Sequence, residues 1–141
     1  MSFCAANVLI DVESFYNLVS GRFPVHAFFH TYVGATLVIV AILLLFAAMR
    51  RFASREWMPD LFRWKELTAL QVAIGAMLGA WSHVFLDSIM HADIRPLEPF
   101  DPTNPFLGIL SLGALHLLCI AAGMLGLVGI VVRYAVTSGR S

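Results

Sequence analysis

The sequence predicts an all-α protein of the polytopic membrane class: a helical bundle of three transmembrane helices plus a short N-terminal helix or half-span. Three observations carry this expectation. Of the 141 residues, 60% are hydrophobic and only 13% charged, a balance that suits a bilayer and not a water-soluble globule. The mean hydropathy of +0.83 agrees. Three apolar stretches reach the roughly 20 residues needed to cross a hydrocarbon core.

Residues Phe3–Val19 are apolar but carry Asp11 and Glu13, so they read as a half-span or tucked helix. Ser20-Gly21-Arg22-Phe23-Pro24 follows as a turn, with Pro24 at or just before a helix start. The first span is expected from about His26 to Met49, and Trp57-Met58-Pro59-Asp60 breaks the loop after it. The second runs from about Leu67 to His91. Asn104 as cap and Pro105 as first helical residue then open the third, Phe106–Val132. The glycines at 75, 79, 108, 113, 123, 126 and 129 suit close helix packing better than a phosphate loop. No internal repeat or linker divides the chain, so one membrane-embedded helical domain, 1–141, is expected.

Charge sets the expected orientation. Arg50, Arg51, Arg55, Arg63 and Lys65 crowd the loop between spans one and two. The next loop holds only Arg95 against Asp93, Glu98 and Asp101. The positive-inside rule places the first loop in the cytoplasm and the second outside, and Arg133 and Arg140 fit a cytoplasmic C-terminus. A net formal charge of zero gives no reason to expect nucleic-acid binding. Cys4 and Cys119 form no CxxC pair and read as small core hydrophobes. The amino terminus lacks the basic start and small-residue cleavage site of a signal peptide.

Against this apolar background, His83, Asp87 and His91 recur at intervals of four. Four residues is slightly more than one helical turn, so the three side chains share a slowly rotating stripe. Ionisable groups in a span are expensive unless compensated, and imidazole with carboxylate at this spacing is what one helix offers a divalent metal. The alternative is a helix end with a solvated His91, a capping Asp87 and a hydrogen-bonded His83. His26 and His30 repeat the i, i+4 spacing at the outer start of span one, either as ligands or as passengers in an aromatic belt of Phe28, Phe29 and Tyr32. His116 falls about ten residues into span three, so all five histidines lie toward the outer side. At about 1.5 Å per residue, His83 and His116 are expected roughly 12–15 Å below the helix ends.

Asp11 and Glu13 stand two apart, which separates them by about 200° on a helix. Asp11 is the better ligand candidate; Glu13 fits a supporting group, a ligand or a general base, and both also fit a solvated helix end. Arg95, beside Pro96, suits a phosphate or carboxylate through its forked donors, and Asp93 is either a ligand or a partner of Arg95.

These blocks, Leu9-Ile10-Asp11-Val12-Glu13, Pro24-Val25-His26-Ala27-Phe28-Phe29-His30-Thr31, and Ser82-His83-Val84-Phe85-Leu86-Asp87 with His91 and Arg95-Pro96-Leu97, resemble the membrane-bound metal-dependent hydrolases of bacterial inner membranes. That group bears a distant likeness to zinc-dependent phospholipase C and the single-strand nucleases of the same all-helical fold. The likeness covers roughly residues 5–120. The family usually carries a further His a few tens of residues before the acidic motif. This chain begins close to Asp11 without one, which leaves open whether an N-terminal helix is missing.

The expected function is hydrolysis of an ester or phosphoester by a metal-activated water at the outer face of the inner membrane. The expected cofactor is Zn2+, with Mn2+ or Fe2+ tolerated, as one or two ions held by His26, His30, His83, Asp87, Asp11 and His91. Glu13 or Asp93 would be the base and Arg95 the anion clamp. Location at the lipid–water boundary favours membrane lipids or a small amphiphilic substrate. Two rivals stand beside this: a bis-His haem-binding cytochrome, which has no use for the acids, and a proton or metal-ion conduit. The conduit requires polar positions continuing to the cytoplasmic half, and Ala35–Met49 has no ionisable residue.

Overall fold

The computed structural model describes residues 1–52 and 60–138, with the side chains of 61 and 62 excepted. The helices are α1 (Ser2–Val19), α2 (Tyr32–Phe52), α3 (Ala69–Met90) and α4 (Leu112–Ser138), with short 3-10 turns at Phe28–His30 and Leu61–Glu66. Among the described residues there is no strand. Helices α2, α3 and α4 are each long and apolar enough to cross a membrane, and α1 is the shorter N-terminal helix. The all-helical membrane bundle is therefore as expected. The chain divides into two compact units, Met1–Leu107 with the first three helices and a second from Gly108 with α4.

In the first unit, α1 packs mainly on α3, and α3 also packs on α2. The core is Ala6 and Ile10 of α1, Ala35, Val38, Ile39 and Ile42 of α2, and Val72, Ala76, Ala80 and Val84 of α3. Four of these ten are alanine. Lipid is as apolar as leucine, so helices in a bilayer gain by close backbone approach, and small residues permit it. Gly79 shows how close: a Cβ there would lie 2.5 Å from the Phe3 carbonyl oxygen and 3.0 Å from its Cα.

The helix ends follow from local chemistry. α1 stops in a Schellman arrangement: Gly21 takes φ +64°, its amide bonds the Leu18 carbonyl, and the Arg22 amide bonds that of Asn17. α3 opens with a capping box, in which Thr68 accepts from the Gln71 amide and Gln71 accepts from the Thr68 amide.

Three boundaries differ from the sequence expectation. His26 and His30 do not share a face of span one, because α2 begins at Tyr32. Thr31 is its cap: Oγ1 accepts from the Gly34 amide at 2.9 Å, and the segment before it turns back over the first helical turn. Gly34 permits this, since a Cβ would collide with the Phe28 carbonyl. His91 ends α3 as its C-cap, with extended ψ, so it leaves the helical stripe of His83 and Asp87. Asn104 does not cap a third span. Its Nδ2 donates to the Ser88 and His91 carbonyls, closing the C-terminal end of α3, and Ser111 accepts from the Ala114 amide at the start of α4. The turn at Ser20–Gly21 is where it was expected, but Pro24 lies well before α2. The break at Trp57-Met58-Pro59, like Arg55 and Arg140, lies outside the described residues.

Candidate functional site: a cluster of imidazoles and carboxylates

The polar face of α1 is the scaffold. Asn7, Asp11, Ser14 and Asn17 follow one another at helical spacing and turn toward α3 and the 24–31 segment. Asn7 Nδ2 donates to the Phe3 carbonyl at 2.7 Å, which fixes its amide with Oδ1 outward. That oxygen lies 2.8 Å from His83 Nδ1 and therefore accepts the ring proton there. Tautomer and orientation follow: His83 presents Nε2, 3.1 Å from Asp11 Oδ1 and 3.3 Å from Asp87 Oδ2.

His30 repeats the arrangement from the 3-10 turn. Its Nδ1 faces Ser14 Oγ at 3.4 Å, and its Nε2 lies 3.7 Å from Asp11 Oδ1 and 3.5 Å from Asp87 Oδ2. The side chain is wholly buried, and Nε2 is left without a hydrogen-bond partner among the described residues. Buried polar atoms are rarely orphaned. The turn carrying His30 is fastened by Glu13, whose Oε2 accepts from the Phe29 amide at 2.6 Å. Glu13 thus holds the turn that carries His30 and is not among the grouped donor atoms.

A second group adjoins the first. His26 Nδ1 lies 3.1 Å from both Asp93 oxygens, and Asp93 Oδ2 also accepts from the Val25 and His26 amides. Burial raises the Asp93 carboxyl, but the hydrogen bonds from the His26 amide and ring outweigh it and hold the group below the usual carboxylate range. The His26 ring stacks against His91 with centroids 4.3 Å apart and meets His30 edge-on at 4.7 Å. Asp11, His30, His83 and Asp87 offer ligand atoms within 4.8 Å of one another, and so do His26, Asp87 and His91.

The spacing suits a cation. Tetrahedral zinc with bonds of about 2.0–2.1 Å separates its donors by about 3.3–3.4 Å, and the four imidazole–carboxylate distances of 3.1, 3.3, 3.5 and 3.7 Å straddle that edge. Asp11 is 55% exposed, so this group reaches the surface on one side. Arg95 is exposed and pairs with Glu98 at 3.2 Å; both line a cleft with His26, Asp93, Pro24 and Phe28. Asp93 does not hold Arg95, therefore, but His26. His116 lies in the second unit, where its Nδ1 bonds the Leu112 carbonyl.

Asn7 and Ser14 were not singled out in the sequence. Their signal is the i, i+4, i+7 polar stripe through Asp11; comparison of Asp11 with Glu13 alone concealed it.

Fold and cluster together define a polytopic helical membrane protein carrying a His/Asp donor set. A family profile described as YdjM inner membrane protein matches residues 10–138, and the chain belongs to that family. It is accordingly a multi-pass protein of the bacterial inner membrane. No curated protein and no solved structure matches the chain. The family match corrects the resemblance to metal-dependent hydrolases and phospholipase C: a profile spanning most of the chain points elsewhere. The reason is physical. His-x-x-x-Asp steps arise on any helix that presents ligands to one side, so they carry less family information than the whole pattern of spans and loops.

Proposed function

We propose that this YdjM-family protein is a metal-dependent hydrolase of the inner membrane, acting on an ester or phosphoester at the outer face. The observation that carries the proposal is His30: its buried Nε2 has no hydrogen-bond partner among the described residues and looks toward two carboxylates and a second imidazole. Asp11, His30, His83 and Asp87 would hold the ion, and zinc suits this donor set best, with manganese or iron also accepted. A divalent cation supplies activation of water and stabilisation of developing negative charge. Structural zinc sites are closed whereas catalytic ones keep an open side, and the exposure of Asp11 supports the second kind.

The surrounding residues take definite parts. Glu13 and Asp93 are positioning residues, since their oxygens already accept main-chain amides. Asp11, as the exposed carboxylate, would take a proton from the water as it adds to the ester carbon or phosphorus and return it to the leaving oxygen as that bond breaks and the alcohol departs. Arg95 in its cleft receives an anionic part of the substrate, which membrane lipids or small amphiphiles would supply. The carboxylates placed among the imidazoles speak for a metal and against haem, which needs none. The charge asymmetry of the loops supports a cytoplasmic C-terminus and a site near the periplasmic side.

Elemental analysis of detergent-purified protein tests this directly. Wild type should retain zinc through dialysis, and His30→Ala and Asp87→Ala should lose it while remaining monodisperse and helical. Equal metal content in all three proteins would overturn the proposal.

A further inference from the structure

We infer that the centre takes two metal ions, bridged by the carboxylate of Asp87; this rests on the metal site proposed above and adds a second site beside it. Asp87 is the one residue common to both donor groups, Asp11/His30/His83/Asp87 and His26/Asp87/His91. Its Oδ2 is the oxygen that faces His83 and His30. A carboxylate has two oxygens, and bridging is the ordinary way for one acid to serve two ions about 3.5–4 Å apart.

The second group is prepared for an ion in the same manner as the first. Metal-bound histidines characteristically give their other ring proton to a carboxylate or carbonyl. His26 gives Nδ1–H to Asp93, which leaves Nε2 as its free donor. Asp93 is itself held by two main-chain amides, so the orientation of the ring is fixed from the 24–26 segment. His91 lies against His26 with an interplanar angle of 30°. Its place at the C-cap of α3 brings it there, because a further helical turn would have carried the ring along the His83–Asp87 stripe. The chain His83–His30–His26–His91 therefore runs from one group to the other, with centroid steps of 5.4, 4.7 and 4.3 Å.

The second site also explains the cleft. Asp93, His26 and Arg95 line it together, so an anion held by Arg95 would lie beside the His26 group. The substrate class that this favours carries a negative charge next to the scissile bond, as a phosphoester does.

Manganese provides the test. Full-length wild-type protein in detergent, stripped with chelator and titrated with Mn2+, should bind two ions per chain and give the exchange-coupled electron paramagnetic resonance spectrum of a bridged pair. His26→Ala and His91→Ala should each bind one ion with an uncoupled six-line spectrum. His30→Ala should retain one ion at most. A wild-type stoichiometry of one, or two ions with uncoupled spectra, would overturn the bridge while leaving the first site standing. No retained Mn2+ or Zn2+ in wild type would overturn both. Because the coupling is read in the wild type, misfolding of a variant does not blunt the test.

Discussion

Removal of the Asn7 amide isolates the logic of the cluster without touching a ligand. Asn7 Oδ1 accepts from His83 Nδ1 at 2.8 Å, and Nδ2 is anchored on the Phe3 carbonyl. In Asn7→Ala the ring loses the contact that selects its tautomer, and Nε2 is no longer guaranteed as the donor. Loss of such an outer hydrogen bond costs about 10–100-fold in metal affinity, equivalent to about 1.4–2.7 kcal/mol. The fold itself loses the partly buried bond to His83, about 0.5–1.5 kcal/mol, and an exposed one to the Phe3 carbonyl. Asn7→Asp keeps an acceptor for His83 Nδ1 but gives up the donor to the Phe3 carbonyl, so it should hold zinc better than Asn7→Ala. The assay is competition for Zn2+ against a chromophoric chelator, with thermal unfolding in the same detergent recorded in parallel. If His83 were only an imidazolium paired with Asp11, Asn7→Ala would lower the unfolding temperature and leave zinc affinity unmoved. That pattern would refute the reasoning.

Further outcomes follow from other contacts. Glu13→Gln keeps an acceptor for the Phe29 amide and should retain zinc and any hydrolytic activity within a few-fold, whereas Glu13→Ala should lose both; inactivity of Glu13→Gln with full zinc would make Glu13 a general base instead. Gly79→Ala pushes a methyl into the Phe3 backbone and should cost about 1–3 kcal/mol of stability, while Gly75→Ala meets chiefly the Ser2 hydroxyl, which can rotate away, and should cost less in the same unfolding assay. Phe100 is 86% exposed in the loop between α3 and α4, so Phe100→Cys, with Cys4 and Cys119 replaced by Ser, should react with a membrane-impermeant maleimide in spheroplasts; labelling only after lysis would reverse the orientation.

The spans were legible because length and hydropathy report directly on a bilayer, and so were the acids and imidazoles, which stand out where ionisable groups are costly. Their boundaries were less legible. Helical spacing of His26 and His30 suggested a shared face, but Thr31 caps α2 behind them, and the pair meets edge-on in a folded-back segment. His91 kept its place in the cluster by leaving the helix, which periodicity does not register. Asn104-Pro105 looked like a helix start because Asn followed by Pro favours an N-terminus, and only tertiary contact shows that Asn104 serves the Ser88 and His91 carbonyls. Asp93 and Glu13 attracted attention as acids; that they act on main-chain amides depends on distances no linear spacing contains.

The stretch from Pro24 to Phe29 is gripped almost wholly by its peptide groups. Asn17 donates to the Pro24 and Val25 carbonyls, Asp93 takes the Val25 and His26 amides, and Glu13 takes that of Phe29. Such clasps are indifferent to what the intervening residues carry. The side chains of Val25, Ala27 and Phe28 take no part in these clasps, so the main chain alone can carry the two imidazoles beside them into register.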